Sequence, residues 1–384
     1  MIPPGAWLGL LGGGQLGRMF TMAAQSMGYR VVVLDPGSQS PAGSVADDQI
    51  AADYLDPGAL QELASRCAAA TTEFENVPAA ALRFLARHCI VSPSADSVAV
   101  AQDRIAEKEF LAAAGIEVAP YCALQREQDV DESLIALLPG ILKRSRLGYD
   151  GKGQARVTSL DEVRTAFVKL GAQPCVLEHL VPLELELSVV VARGFDGSVV
   201  TWPVAENQHA HGILDITVVP ARISKALAER ARAVAMTVAA SLNYNGVLCV
   251  EFFVLRDGRM LVNEIAPRPH NSGHYTIDAC ITSQFEQQAR VLCGVPLGAT
   301  DLHCPAAMVN LLGELWAGGE PRWEHVLRHA SAKLHLYGKA EARPGRKMGH
   351  FTVLASSGEA ALALALQAKS LLLSEAQAGR LKSA

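Results

Sequence analysis

The sequence has no uncharged apolar stretch of about 18 residues, the length a membrane-spanning helix needs, so no membrane is expected as a partner. The opening from Met1 to Gly14 has no basic leader of the kind a signal peptide carries, which points to a cytoplasmic protein. No Lys/Arg tract occurs, and the net charge is −5; both argue against nucleic acid. Eight cysteines are scattered from Cys67 to Cys304 without a Cys-x-x-Cys pair, which removes zinc-site spacing and fits reduced thiols. Only 19% of residues are charged while 50% are hydrophobic, so the chain is not disordered. Neither an internal repeat nor a low-complexity segment is present.

The 384 residues suffice for two or three domains with full cores. From Trp7 to Asp35 an apolar strand, a glycine turn, a helix near Leu16 to Met27 and the strand Arg30 to Asp35 form a βαβ unit, which predicts an open parallel sheet. Further strand ends near Asp53 and at Thr71-Thr-Glu-Phe-Glu75 extend this doubly wound α/β domain over residues 1–102. A helix from about Arg104 to Ala114 follows, a new sheet region begins near Ile141, and a long helix is expected from Lys225 to Leu242. Beyond Pro296, the runs Lys333 to Gly338 and Gly349 to Ala355 read as paired strands before a final alanine- and leucine-rich helix.

The most informative feature is a pair of glutamates thirteen residues apart, Glu251 and Glu264, on apolar runs flanking Asp257-Gly258. Asp-Gly favours a two-residue hairpin turn. Pairing Arg256 with Arg259 sets Glu251 directly opposite Glu264, where like charges repel. A solvated hairpin carrying two surface acids has the same spacing, but the almost wholly apolar neighbours favour burial. A buried pair calls for a cation, and Mg²⁺ is commonly held by one or two carboxylates together with substrate phosphates.

Two glycine loops accompany this pair. Gly12-Gly-Gly-Gln-Leu-Gly17 with Asp35 matches a dinucleotide fingerprint, although glycines before a helix N-terminus suit any anion or a plain tight turn. In Ile141 to Gln154 a strand delivers Lys143 into a glycine-rich flap with a lysine in it, which suits a polyphosphate but is not a Walker loop. A glycine-rich hairpin with solvated charges is the alternative.

Lys143, the flap, Val176-Leu-Glu178 and the Glu251/Glu264 pair occur in the order of the ATP-grasp enzymes, which the chain resembles. Gly12 to Met19, Thr72 to Glu75, Gly148-Tyr-Asp-Gly-Lys-Gly153, Asn263 to His274 and Tyr337-Gly-Lys339 are similar to one branch, the 5-(carboxyamino)imidazole ribonucleotide synthases of purine biosynthesis. The likeness runs through nearly the whole chain. It implies an ATP-grasp architecture: the doubly wound domain 1–102, an ATP-grasp domain 103–296 with a lid at about 118–186, and a small β-rich C-terminal domain 297–384. It implies an ATP-dependent carbon–nitrogen ligase, a homodimer, whose small-molecule substrates are ATP, bicarbonate and 5-aminoimidazole ribonucleotide.

What the resemblance implies about residues can be stated one by one. Arg104 and Lys143 would contact ATP phosphates, and Gly148, Tyr149, Asp150, Gly151, Lys152, Gly153 and Gln154 would form the flap. Glu178, His179, Leu180 and Val181 would lie beside adenine, Glu186 would hold the ribose, and His209 and Asn263 would complete the nucleotide site. Glu251 and Glu264 would bind one or two Mg²⁺ ions. Gln15, Glu73, Tyr149, Asp150, Lys339, Arg346 and Lys347 would face the ribonucleotide. Arg268, His270 and Asn271 would be catalytic: arginine can stabilise an acyl phosphate, and histidine can accept a proton near neutral pH. His211, which makes a His-x-His pair with His209, reads as a loop residue. One departure is Leu147 before Gly148, where the family usually shows two glycines. The rival readings are a formate-dependent glycinamide ribonucleotide transformylase, a dinucleotide-dependent oxidoreductase and a non-catalytic nucleotide-binding module.

Overall fold

The computed structural model describes residues 1–148 and 153–372. Tyr149, Asp150, Gly151 and Lys152 of the flap lie outside the described residues. The N-terminal part comprises β1 (Trp7–Leu11), α1 (Gln15–Ser26), β2 (Arg30–Asp35), β3 (Asp48–Ala51), α2 (Pro57–Arg66), β4 (Ala69–Thr72), α3 (Ala79–Leu85), β5 (Ile90–Val91) and α4 (Ala95–Ala101). Its strands pair in parallel in the order β3-β2-β1-β4-β5, the doubly wound sheet that the βαβ pattern predicts. Val31, Val32, Val33 and Leu34 of β2 are all fully buried because helices cover both faces.

Next come α5 (Arg104–Ala113), β6 (Tyr121–Leu124), β7 (Gly140–Arg144), β8 (Gln154–Val157), α6 (Leu160–Lys169) and β9 (Cys175–His179). Their strands form a separate four-stranded sheet, β6-β9-β7-β8, which carries the flap between β7 and β8. The remainder comprises β10 (Leu183–Arg193), β11 (Val199–Thr201), β12 (Ala205–Ala210), β13 (Ile213–Val219), α7 (Lys225–Ser241), β14 (Gly246–Leu255), β15 (Met260–Ala266), α8 (Thr276–Ala279), α9 (Gln284–Leu292), β16 (Ala306–Leu312), α10 (Glu324–Leu327), β17 (Ala332–Leu336), β18 (Lys347–Leu354) and α11 (Gly358–Leu372). One nine-stranded sheet runs through β15-β14-β10-β12-β13-β16-β18-β17, with β11 beside β10. The C-terminal strands therefore extend the central sheet through the β13–β16 pair and do not form a sheet of their own.

Ser224 caps α7 by accepting from Leu227 N, and Ala231, Ala235, Val238 and Ala239 form its buried stripe against β10 and β14. Helix α5 is different. Asp103 caps it, but its buried stripe holds Glu107 and Lys108 beside Leu111. Charges in a stripe that should be apolar are costly unless paired, and they mark the helix as part of a site.

Candidate active site

The hairpin places Glu251 opposite Glu264, as expected, but by a different route. Leu255 N bonds Arg259 O at 2.8 Å and Gly258 N bonds Leu255 O at 2.9 Å, so three residues make the turn, with Gly258 at φ +83°. Near the turn the pairs are Val254 with Met260 and Phe252 with Val262. A bulge at Asn263 then shifts the register by one residue and restores the acidic pair. Asn263 and Glu264 thus both face the same partner, and both line a cleft of about 870 Å³.

The two acids are not equivalent. Glu264 is half-buried, which disfavours its charge, yet Arg104 at 3.0 Å, with Lys143 and Arg268 nearby, holds its carboxyl below the ordinary value. Glu251 is pushed up to about 8 by burial and by Glu264, while His270 Nε2 lies 3.2 Å from its Oε1. A buried acid with a carboxylate for a neighbour fits a hard divalent cation. Asn263 Oδ1 adds a third oxygen, buried and without a hydrogen-bond partner.

Beside this pair lies a column of buried charge. Lys143 Nζ meets Glu178 Oε2 at 2.9 Å, and Lys108 Nζ lies 3.5 Å from Glu178 Oε1 and 3.1 Å from Asn263 O. Burial lowers the Lys108 pKa; Glu178 stays below its usual value despite burial because Lys143 and Lys108 flank it. Glu107 bonds Ile265 N and is pushed up to about 7 by burial. Near Glu251, His209 Nδ1 meets Glu186 at 2.7 Å; burial works against the histidine's charge, but the Glu186 contact raises its pKa.

In the same cleft Lys339 bonds Gln15 and, at 2.6 Å, Lys347 O, and Arg346, Lys347 and Arg343 complete a basic corner. Arg268 is held by Glu75, and Asn271 and Asn310 exchange amide bonds of 3.0 and 2.6 Å. Burial, together with Arg268 and Lys347, lowers His270 well below the ordinary histidine value, so the ring is neutral at neutral pH. The group Asp278, His335 and His350 brings one potential ligand atom each within 4.8 Å. His335 bonds Asp278 at 2.8 Å and Tyr337 bonds His350 Nδ1 at 2.9 Å, while His350 Nε2 is buried without a hydrogen-bond partner.

One cleft therefore gathers Gln15, Arg104, Lys143, Gly148, Gln154, Glu186, His209, Glu251, Asn263, Glu264, Arg268, His270, Asn271, Lys339, Arg346 and Lys347. Glu73, Gly153, Glu178, His179, Leu180 and Val181 are not in its lining. The N–H groups of His179 and Leu180 are given to Pro120 O and Pro139 O. His211 sits in a turn at φ +53°, in keeping with a loop role. Sequence reasoning missed Glu75, Glu107 and Lys108. The α5 residues were detectable as charges at helical spacing from Leu111; Glu75 lies within the Thr72–Glu75 motif but carried no assigned role.

Comparison with known proteins bears on the same chain. Family models match the ribonucleotide synthetase preATP-grasp domain at residues 6–102, the ATP-grasp domain at 109–285 and the phosphoribosylaminoimidazole carboxylase C-terminal domain at 306–364. The N5-carboxyaminoimidazole ribonucleotide synthase of Brucella melitensis biotype 1 is 48% identical over 358 residues, 91% of this chain and 97% of that protein. The chain belongs to the N5-carboxyaminoimidazole ribonucleotide synthase family.

Solved structures of the family agree. An ADP complex of an N5-carboxyaminoimidazole ribonucleotide synthetase has a TM-score of 0.89 at 44% identity, covering 96% of this chain and 97% of that one. The Aspergillus clavatus enzyme with ADP and 5-aminoimidazole ribonucleotide has a TM-score of 0.88 at 31% identity, covering 96% and 98%. As a family member the chain is an ATP-grasp ligase, and the dinucleotide reading of its first glycine loop fails on the atoms. Asp35 accepts from Gly13 N and Gly37 N at 2.8 Å and from Tyr54 at 3.1 Å, so it serves the loop's own backbone and a tyrosine. The anion at the start of α1 is the chain's own Glu73, which accepts from Gly17 N at 2.6 Å. A Cβ on Gly14 would lie 2.0 Å from Glu73 Oε1, so these glycines make room for a carboxylate and not a pyrophosphate. Glu73 is pushed up to about 7 by burial, which outweighs the backbone donors.

Proposed function

We propose that this chain joins bicarbonate to 5-aminoimidazole ribonucleotide at the expense of ATP, giving 5-(carboxyamino)imidazole ribonucleotide, ADP and phosphate. The observation that carries this is one cleft with an acidic pair between two basic regions: Arg104 and Lys143 beside Glu264, and Lys339, Arg346 and Lys347 toward Glu251. Two phosphate-bearing substrates can thus approach a common centre.

Bicarbonate is an anion and a poor electrophile, so its oxygen first attacks the γ-phosphorus of ATP, ADP leaves, and carboxyphosphate forms. The ribonucleotide amine then attacks the carboxyl carbon, directly or after release of CO2, and phosphate departs. Glu251, Glu264 and Asn263 are the residues that would hold Mg²⁺; the ion, when bound, neutralises charge on the β- and γ-phosphates. Arg104 and Lys143 bind phosphate oxygens, and Glu186 with His209 holds the ribose. Arg268, fixed by Glu75, faces the acyl phosphate. Lys339, Arg346 and Lys347 bind the 5′-phosphate. The flap excludes water from an intermediate that water destroys. Assembly as a homodimer in the cytoplasm belongs to the same reading, supported by the family resemblance.

The test is coupled ADP release with each substrate omitted in turn. Release should need ATP, bicarbonate and the aminoimidazole nucleotide together, and formate with glycinamide ribonucleotide should give none. ATP turnover indifferent to the nucleotide overturns the proposal.

A further inference from the structure

A chain of buried polar groups runs up to His270 from behind the cleft. Thr217 Oγ1 donates to Asn207 Oδ1 at 3.1 Å, and Asn207 Nδ2 donates to Ser188 Oγ at 2.9 Å. The Ser188 and Ser272 hydroxyls are 2.7 Å apart, and Ser272 Oγ lies 2.8 Å from His270 Nδ1. All four residues are at most 5% exposed. A hydroxyl has one proton to give. Ser188 receives from Asn207 and passes its proton to Ser272, and Ser272 has His270 Nδ1 at 2.8 Å as a much nearer acceptor than Cys249 Sγ at 3.9 Å.

A second contact gives the same answer independently. The backbone N–H of Ser272 donates to His270 Nδ1 at 3.3 Å, and a backbone amide cannot reverse its polarity. A ring nitrogen that receives two donors holds a lone pair, so the neutral imidazole carries its proton on Nε2. That nitrogen faces Glu251 Oε1 at 3.2 Å.

We propose that Thr217, Asn207, Ser188 and Ser272 are positioning residues that lock His270 in the Nε2–H tautomer, making it a donor that orients the Glu251 carboxylate and not the acceptor of the ribonucleotide's amine proton. Carboxylates that bind metals are commonly held in this way by a hydrogen bond from behind. The inference rests on the functional reading only in treating Glu251 as a metal-binding carboxylate; the tautomer itself follows from the hydrogen bonds.

The experiment is nitrogen-15 NMR of the full chain labelled at histidine, with the His270 signals assigned by their loss in His270→Gln. The wild type should show a pyridine-type Nδ1 and a pyrrole-type Nε2 without any ligand present. In Ser188→Ala the hydroxyl chain loses its middle link. The His270 signals should then shift toward a mixture of tautomers, and kcat should fall about tenfold while KM for ATP holds. A proton on Nδ1 in the wild type overturns the tautomer. An unchanged spectrum and kcat in Ser188→Ala overturn the positioning role. If the substrate-omission assay fails while the spectrum is as expected, the functional reading falls and the tautomer stands.

Discussion

Replacing Glu251 with Gln should stabilise the metal-free protein while abolishing its chemistry. Glu251 is raised from 4.5 to about 8 by burial and by the facing Glu264. Below about pH 4.5 the side chain is protonated both folded and unfolded, so its proton makes no difference to stability there. Between the two values only the unfolded chain releases the proton, and stability falls by about 1.4 kcal/mol for each pH unit. By pH 7 that amounts to about 3 kcal/mol, and the loss is complete once the pH passes about 8. Glutamine has nothing to titrate, and its carbonyl can still accept from His270. Chemical denaturation in a chelator, followed by tryptophan fluorescence, reads the difference; Trp202, just after β11, is fully buried. The variant should be about 3 kcal/mol more stable near neutrality, with the gap closing toward pH 5. Added Mg²⁺ should stabilise the wild type more than the variant, because only a site that binds gains from mass action. Parallel pH profiles for the two proteins, or a variant less stable throughout, would refute the repulsion on which the cation argument depends.

Glu178→Gln leaves Lys108 and Lys143 buried without their shared partner, and thermal unfolding should show a loss of about 3–5 kcal/mol. Lys339→Ala should raise KM for the ribonucleotide by roughly 10- to 100-fold, as expected for one charged contact, with KM for ATP unchanged in steady-state kinetics. Gly14→Ala sets a methyl group against the Glu73 carboxylate, so it should lower both the melting temperature and ribonucleotide turnover. Leu147 stands at φ +61°, a left-handed conformation that costs about 1–2 kcal/mol for a side chain. Leu147→Gly should therefore be tolerated in thermal melts, with its effect read in the pre-steady-state rate of ADP formation.

Residue pattern alone made much of the fold legible. The apolar strands and helix around Gly12 to Gly17 predict a parallel sheet, and one is found, because the periodicity of burial is local information. The facing of Glu251 and Glu264 was reached through the wrong turn: a third loop residue and the bulge at Asn263 offset each other. Turn residues signal a hairpin but not its loop length, whereas a bulge answers to what must face the cleft. The departure at Leu147 was visible in the sequence; its cause, a backbone position suited to glycine, was not.

The sequence by itself determined the elements, the acidic hairpin, and the clustering of lysines and glycines that a polyphosphate needs. Spacing, capping and alternation act over a few residues and can be read in order. Tertiary structure alone decided which anion the first glycine loop receives, since Glu73 reaches it from 56 residues away. It also decided which of two identical carboxyls keeps a proton. Arg104 lies on a helix 160 residues from Glu264, and only folding brings that charge to one acid and leaves the other facing a histidine. Charge and hydrogen bonding act through space, so their outcome depends on distances that the order of residues does not contain.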